Sequence, residues 1–256
     1  PLKSRADLAR FPLGERWPSV MAEKLGGGHN VIAEGLNGRT TVHDDPADGG
    51  PVKNGLRFLP VILESHAPID LVIIKLGTND LKMRFSSPAY DIADGAGRLV
   101  DLVLASKNAP AKAPPKVLLV SPAPIAGLTW LAAMFEGGEE KSRKLGAEMK
   151  RVADDRGIPF LDAGTVITSS PIDGIHLDKE GQRALGEAIA AKVKGILGGG
   201  SRLPPGGGVE GQRPVERDQA HSLHRALAEE QPVERVARRR LRLDRRQRVA
   251  VVDGEE

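Results

Sequence analysis

The chain has 256 residues, a formal charge of +3 at neutral pH and no cysteine. It is long enough to bury a sizeable core, and it has no thiol for a disulfide, a thiolate metal site or a cysteine nucleophile. Near-balanced charge gives no reason to expect nucleic acid or an anionic membrane as partner, and the longest apolar runs, at 71–74 and 117–120, are far shorter than the roughly 20 residues of a membrane helix. A soluble protein is expected, and the absence of cysteine favours the cytoplasm.

In chain order, Trp17, Val20, Met21 and Leu25 recur at three- and four-residue intervals and predict a helix; a short β-branched run at 30–33 predicts a strand. Leu56, Leu59, Ile62 and Leu63 repeat the helical spacing despite Pro60, and strands are expected at 70–76 and 116–121. Leu145, Met149, Val152 and Ala153 mark a third helix, 158–162 a further strand, and Leu185, Ile189, Val193 and Ile196 a last helix that Asp178 is placed to cap. The last three strands are apolar throughout, as expected of strands buried on both faces of a parallel sheet. Such alternation predicts an α/β sandwich, whose chemistry gathers on the loops at the carboxyl ends of the strands.

Composition breaks near residue 198. Residues 201–256 hold 12 Arg and no Lys, Ile or aromatic residue, whereas residues 1–200 hold 11 Arg and 14 Lys. The glycine-rich segment 198–208 reads as a flexible linker, and the Arg-rich run from Arg238 to Arg248 could bind nucleic acid or an acidic partner. Ten acidic residues, however, leave the segment 201–256 only two positive charges in excess. Leu223, Leu227, Val236 and Leu241 could form a docking helix that Pro232 interrupts. A frameshift or read-through of GC-rich coding sequence would give the same bias. The expectation is therefore two regions: a folded body over 1–197, and a tail over 198–256 that is disordered or non-native.

Three loops carry polar chemistry. Asp173-Gly174-Ile175-His176 sets a carboxylate three residues before an imidazole, where it can hold one ring nitrogen and stabilise the imidazolium during proton transfer. Gly77-Thr78-Asn79-Asp80 follows a predicted buried strand, and the Asn79 carboxamide could donate to an oxyanion. Asn37-Gly38 offers a backbone N–H beside a permissive glycine. Each could equally be an ordinary turn when read alone.

Taken together the blocks resemble the SGNH, or GDSL-type, hydrolases. The likeness runs through Glu34-Gly35-Leu36-Asn37-Gly38-Arg39-Thr40-Thr41 with Asp44-Asp45-Pro46, through Leu76-Gly77-Thr78-Asn79-Asp80 and through Asp173-Gly174-Ile175-His176. It is greatest to the bacterial arylesterase and acyltransferase branch, to which Phe135-Glu136-Gly137-Gly138-Glu139 is also similar, and it covers about residues 10–197. The resemblance implies a flavodoxin-like three-layer α/β/α sandwich with a parallel sheet. It implies His176 as general base and acid, Asp173 orienting it, and Gly38 and Asn79 as the oxyanion hole. It implies a serine-type esterase acting on small acyl esters through an acyl-enzyme, with water or an alcohol as acceptor and no cofactor or metal.

The family's Gly-Asp-Ser nucleophile block has no counterpart: no serine follows Gly-Asp, and Ser19, Ser65 and Ser121 match no nucleophile block. In the resembled order that block lies upstream, at the end of a first strand that sits centrally between 30–33 and 70–76. With the chain beginning at Pro1, both the nucleophile and the first central strand are expected to be missing. The alternative function is accordingly an inactive fragment or pseudo-enzyme that acts as a binding module. His29, His43 and His66 lack metal-ligand spacing and read as surface or capping residues. Trp130 and Phe135 could line an acyl pocket or simply pack. Asp44-Asp45 could hold a cation, with a solvated turn favoured. The partners expected are a small-molecule ester and its acyl acceptor, and a homo-oligomer is open.

Overall fold

The computed structural model describes residues 10–198 and 246–254. Ten regular elements follow one another: α1 (Trp17–Leu25), β1 (His29–Gly35), α2 (Gly55–Ser65), β2 (Leu71–Lys75), α3 (Ala89–Ala105), β3 (Lys116–Ser121), α4 (Gly138–Asp155), β4 (Phe160–Asp162), α5 (Lys179–Gly198) and β5 (Gln247–Asp253). The five strands form one sheet in the order β1-β5-β2-β3-β4, and every pair is parallel.

Alternation along the strands divides the core into two layers, because successive side chains leave opposite faces of a sheet. Leu71, Ile73, Leu118, Val120, Val249 and Val251 pack with Trp17, Met21, Leu185 and Ile189 of α1 and α5. Val72, Ile74, Leu119, Ala250 and Val252 pack on the other face with Leu59, Ile92, Leu99, Leu145 and Met149 of α2, α3 and α4. The three-layer α/β/α sandwich expected from the sequence is thereby formed. Asp178 caps α5 as expected, its Oδ1 accepting from the Gly181 N–H at 2.7 Å, and α2 runs through Pro60. Among the described residues no helix is long and apolar enough to cross a membrane.

Three expectations change. The first central strand was expected to be missing, yet the place between β1 and β2 is filled by β5, drawn from the far end of the chain. β5 pairs with all seven residues of β1 and with Leu71–Lys75 of β2, and Val249, Ala250, Val251 and Val252 are wholly buried. The disorder expected over 198–256 therefore does not extend to residues 247–253, which are core; the linker and helix readings within 199–245 lie outside the described residues. The strand at 158–162 is shorter than expected, half-buried and at the sheet edge, where only one neighbour covers it. Helix α3 was not foreseen: its buried stripe is built from Ala89, Ala93, Gly95, Ala96 and Gly97 as much as from Ile92, Leu99 and Val100, so small residues diluted its apolar period.

Candidate active site

The loops that follow β1, β2 and β4 meet at one end of the sheet. Asn37 and Gly38, Asn79, and Ile175 and His176 line a common cavity of about 160 Å³, whose apolar wall is Leu131, Met134 and Phe135. A cavity near 150 Å³ holds a benzene-sized molecule, so the space suits a small acyl or aryl group. Asp48 and Lys82 form its polar side. A wider depression of about 420 Å³ beside Asp178 and Ala184 contains none of the four candidate site residues Gly38, Asn79, Asp173 and His176.

Asp173 and His176 form a tight local unit. His176 Nδ1 lies 2.6 Å from Asp173 Oδ2, while Asp173 Oδ1 accepts the backbone N–H groups of Ile175 at 2.8 Å and His176 at 2.9 Å. The turn depends on Gly174, with φ of +80°, where a Cβ would lie 2.6 Å from the Ala126 carbonyl oxygen. Burial pushes the Asp173 carboxyl upward, but the hydrogen bond and charge of His176 and the two backbone donors prevail and hold it below the ordinary 3.8. An ionised Asp173 that accepts from Nδ1–H fixes the tautomer that leaves Nε2 as the basic atom. Among the described residues Nε2 has no hydrogen-bond partner.

Gly38 and Asn79 converge on one acceptor. The Gly38 N–H donates to the Gly254 carbonyl oxygen at 3.2 Å, and Asn79 Nδ2 donates to the same oxygen at 3.0 Å. Gly38 has φ of +82°, a conformation that side chains disfavour, and a Cβ there would sit 2.8 Å from Asp48 Oδ2. Asn79 is further fixed by a hydrogen bond to the Arg39 carbonyl at 3.2 Å. This is a two-donor carbonyl site built from two different loops.

Asp80, quoted in the sequence block but given no role there, joins those loops. Its carboxylate accepts from the Thr41 N–H at 3.0 Å and from Thr41 Oγ1 at 2.6 Å. Burial pushes its carboxyl above the ordinary value despite both hydrogen bonds. Its place in the same block as Asn79 was the available signal. Asp45 is a correction: the favoured solvated turn is instead a fully buried carboxylate, held by Lys82 Nζ at 2.9 Å and by Arg84 at 2.9 Å. These cations take the place that a metal would need, and no cluster fit to hold a metal occurs among the described residues. Of the two aromatic candidates, Phe135 lines the cavity and Trp130 does not. His66 caps the C-terminus of α2 and pairs with Glu34 at 2.6 Å, and His43 stacks on Phe85. Among the described residues no serine, threonine or cysteine lines the cavity; Ser121 donates to Asp162 instead.

The model of the GDSL-like lipase/acylhydrolase family matches residues 6–184. Among solved structures, Est24, a carbohydrate acetylesterase from Sinorhizobium meliloti, is 45% identical over 77% of this chain and 92% of its own, with a TM-score of 0.72. The native aryl esterase of M. smegmatis is 43% identical over 77% of this chain and 93% of its own, also with a TM-score of 0.72. A further carbohydrate acetylesterase family member from Sinorhizobium meliloti is 42% identical over 75% and 91%, with a TM-score of 0.70. No curated protein matches. With one family model spanning most of the body and several esterase structures aligning over most of their own lengths, the chain belongs to the GDSL-like lipase/acylhydrolase family, and by that membership is a carboxylic-ester hydrolase.

Proposed function

We propose that the site carries out serine-type hydrolysis of small acyl esters, with a base and an oxyanion hole in place and a nucleophile that none of the described serines supplies. The observation that carries the reading is convergence: a carboxylate-held imidazole and a two-donor carbonyl site open on the same small cavity. His176 Nε2 takes the proton of the attacking hydroxyl, and Asp173 stabilises the imidazolium. The negative oxygen of the tetrahedral intermediate rests on the Gly38 N–H and Asn79 Nδ2. Collapse breaks the bond to the alcohol oxygen, which leaves with the proton from His176; water or a second alcohol then enters by the same steps and releases the acyl group. The apolar wall of Leu131, Met134 and Phe135 takes a short acyl chain. The polar side, Asp48 and Lys82, suits a hydroxyl-bearing alcohol, in keeping with the acetylesterase relatives.

That no described hydroxyl or thiol side chain lines the cavity supports a second reading, in which the chain binds small esters without turning them over by an acyl-enzyme. The purified chain assayed on 4-nitrophenyl acetate separates the two. The serine-type reading predicts a stoichiometric burst, labelling by a fluorophosphonate, and a drop of at least tenfold in His176→Ala. Slow hydrolysis without burst or labelling, still lost in His176→Ala, would overturn the acyl-enzyme step. A rate equal to that of His176→Ala would leave the binding reading.

A further inference from the structure

The two donors assigned to the oxyanion hole are already engaged. The Gly254 carbonyl accepts both of them, at 3.2 Å from the Gly38 N and 3.0 Å from Asn79 Nδ2, distances within the ordinary hydrogen-bond range. The segment is delivered there by β5. Asp253, one residue earlier, accepts from Trp17 Nε1 at 2.7 Å, lies 3.3 Å from Lys75 Nζ, and receives the Leu36 N–H on its carbonyl at 3.1 Å. Gly254 then fits where nothing larger would: a Cβ on it would stand 2.6 Å from the Arg39 carbonyl oxygen and 3.2 Å from Asn79 Nδ2.

We propose that Gly254 is an internal ligand of the oxyanion hole, so that the C-terminal segment competes with the carbonyl of an ester for Gly38 and Asn79. The proposal rests on the assignment of those two groups as the oxyanion hole. Its physical basis is that one N–H and one carboxamide N–H cannot each serve two carbonyls along the same direction. An incoming ester must therefore displace Gly254 or bind without electrostatic assistance, and loss of a single such donor commonly slows acyl transfer 10²–10³-fold. The occupant is also always present: a segment anchored one residue away acts at a high effective concentration, which a dilute ester has to overcome.

Two full-length variants test it. Gly254→Ala sets a methyl against the Arg39 carbonyl and pushes the segment off the donors while leaving Asp253 in its anchors; removal of residues 254–256 takes the carbonyl away. Each is titrated with sodium acetate, and binding is read from the NMR shifts of the Gly38 amide and the Asn79 side-chain amide. At least tenfold tighter acetate binding in either variant than in the parent, with those resonances moved in the acetate-free protein, is the expected result. Equal affinity in parent and both variants, or unchanged Gly38 and Asn79 resonances, overturns the proposal. Hydrolysis of 4-nitrophenyl acetate is measured alongside with and without His176→Ala. Tighter acetate binding with no His176-dependent rate in any variant would refute the catalytic reading and leave the occupancy standing.

Discussion

Replacing Lys75 by Met, alone and together with Asp253→Asn, tests whether residues 247–253 lie in the centre of the sheet. Lys75 and Asp253 are 178 positions apart, yet Nζ and Oδ1 are 3.3 Å apart and both side chains are about 1% exposed. Removing one member of a buried ion pair costs about 3–5 kcal/mol, because the remaining charge loses its partner in a poorly solvating interior. In a domain of this size that lowers the melting temperature by about 6–20 °C, at roughly 2–4 °C per kcal/mol. Asp253→Asn keeps an oxygen for Trp17 Nε1 but withdraws the charge facing Lys75, and has a cost of similar size. Once one member is gone the second substitution removes only an orphaned group. The double variant is therefore expected to fall short of the sum of the singles by about 2–3 kcal/mol. Urea unfolding of the four proteins measures the cycle. Additivity within about 0.5 kcal/mol would show that the two side chains do not meet and would remove the central placement of β5.

Three further outcomes follow from the same geometry. Deleting residues 246–256 exposes the slot lined by β1 and β2 and removes three fully buried valines, each worth about 1.5–3 kcal/mol; the loss approaches the whole stability of about 5–15 kcal/mol, so cooperative unfolding in near-UV circular dichroism should vanish, and a retained sharp transition would contradict the fold. Gly174→Ala, placed at φ of +80° against the Ala126 carbonyl, should destabilise by about 1–3 kcal/mol and move the His176 ring resonances, whereas a neutral effect on both would refute the account of the turn. Asp45 and Asp173 are both held below the ordinary 3.8, for Asp45 because Lys82 and Arg84 prevail over burial; their stabilisation is present above an unfolded pKa of about 4 and is lost as pH falls through the lower folded values. Asp45→Asn should therefore cost about 2–3 kcal/mol near pH 7 and lose that deficit in urea titrations toward pH 3, and a deficit independent of pH would refute the ion-pair assignment.

The body was legible because its signals are local. Helical stripes such as Leu185, Ile189 and Val193 and runs such as 117–120 report burial directly, and both helix and strand appear where expected. The candidate site was legible for the same reason: Asp173 and His176 are three positions apart, and Gly38 and Asn79 each belong to one turn. What required the fold was the meeting of distant groups. Thr41 with Asp80, and Asp45 with Lys82 and Arg84, are pairings across loops, and nothing in the spacing of Asp44-Asp45 distinguishes a buried carboxylate from a solvated one. Helix α3 was hidden by the same indifference of pattern to context, since its alanines and glycines pack closely without appearing apolar in sequence.

The strand β5 was illegible for a different reason. Arg enrichment and the absence of Ile, Lys and aromatics are averages over 56 residues, whereas a strand answers only to its own seven. The run Val249-Ala250-Val251-Val252 has the same continuous apolar character as 71–74, the signature of a strand covered on both faces of a parallel sheet, and it sends Val249 and Val251 to one core layer and Ala250 and Val252 to the other. The slot sets two more conditions at its carboxyl end: an acid opposite Lys75 and Trp17, then a residue without a side chain beside Arg39 and Asn79. Asp253-Gly254 meets both. Four apolar residues followed by Asp and Gly are a narrower requirement than tail composition, and they explain why this end of the chain enters the sheet although the average over its last 56 residues argued for exclusion.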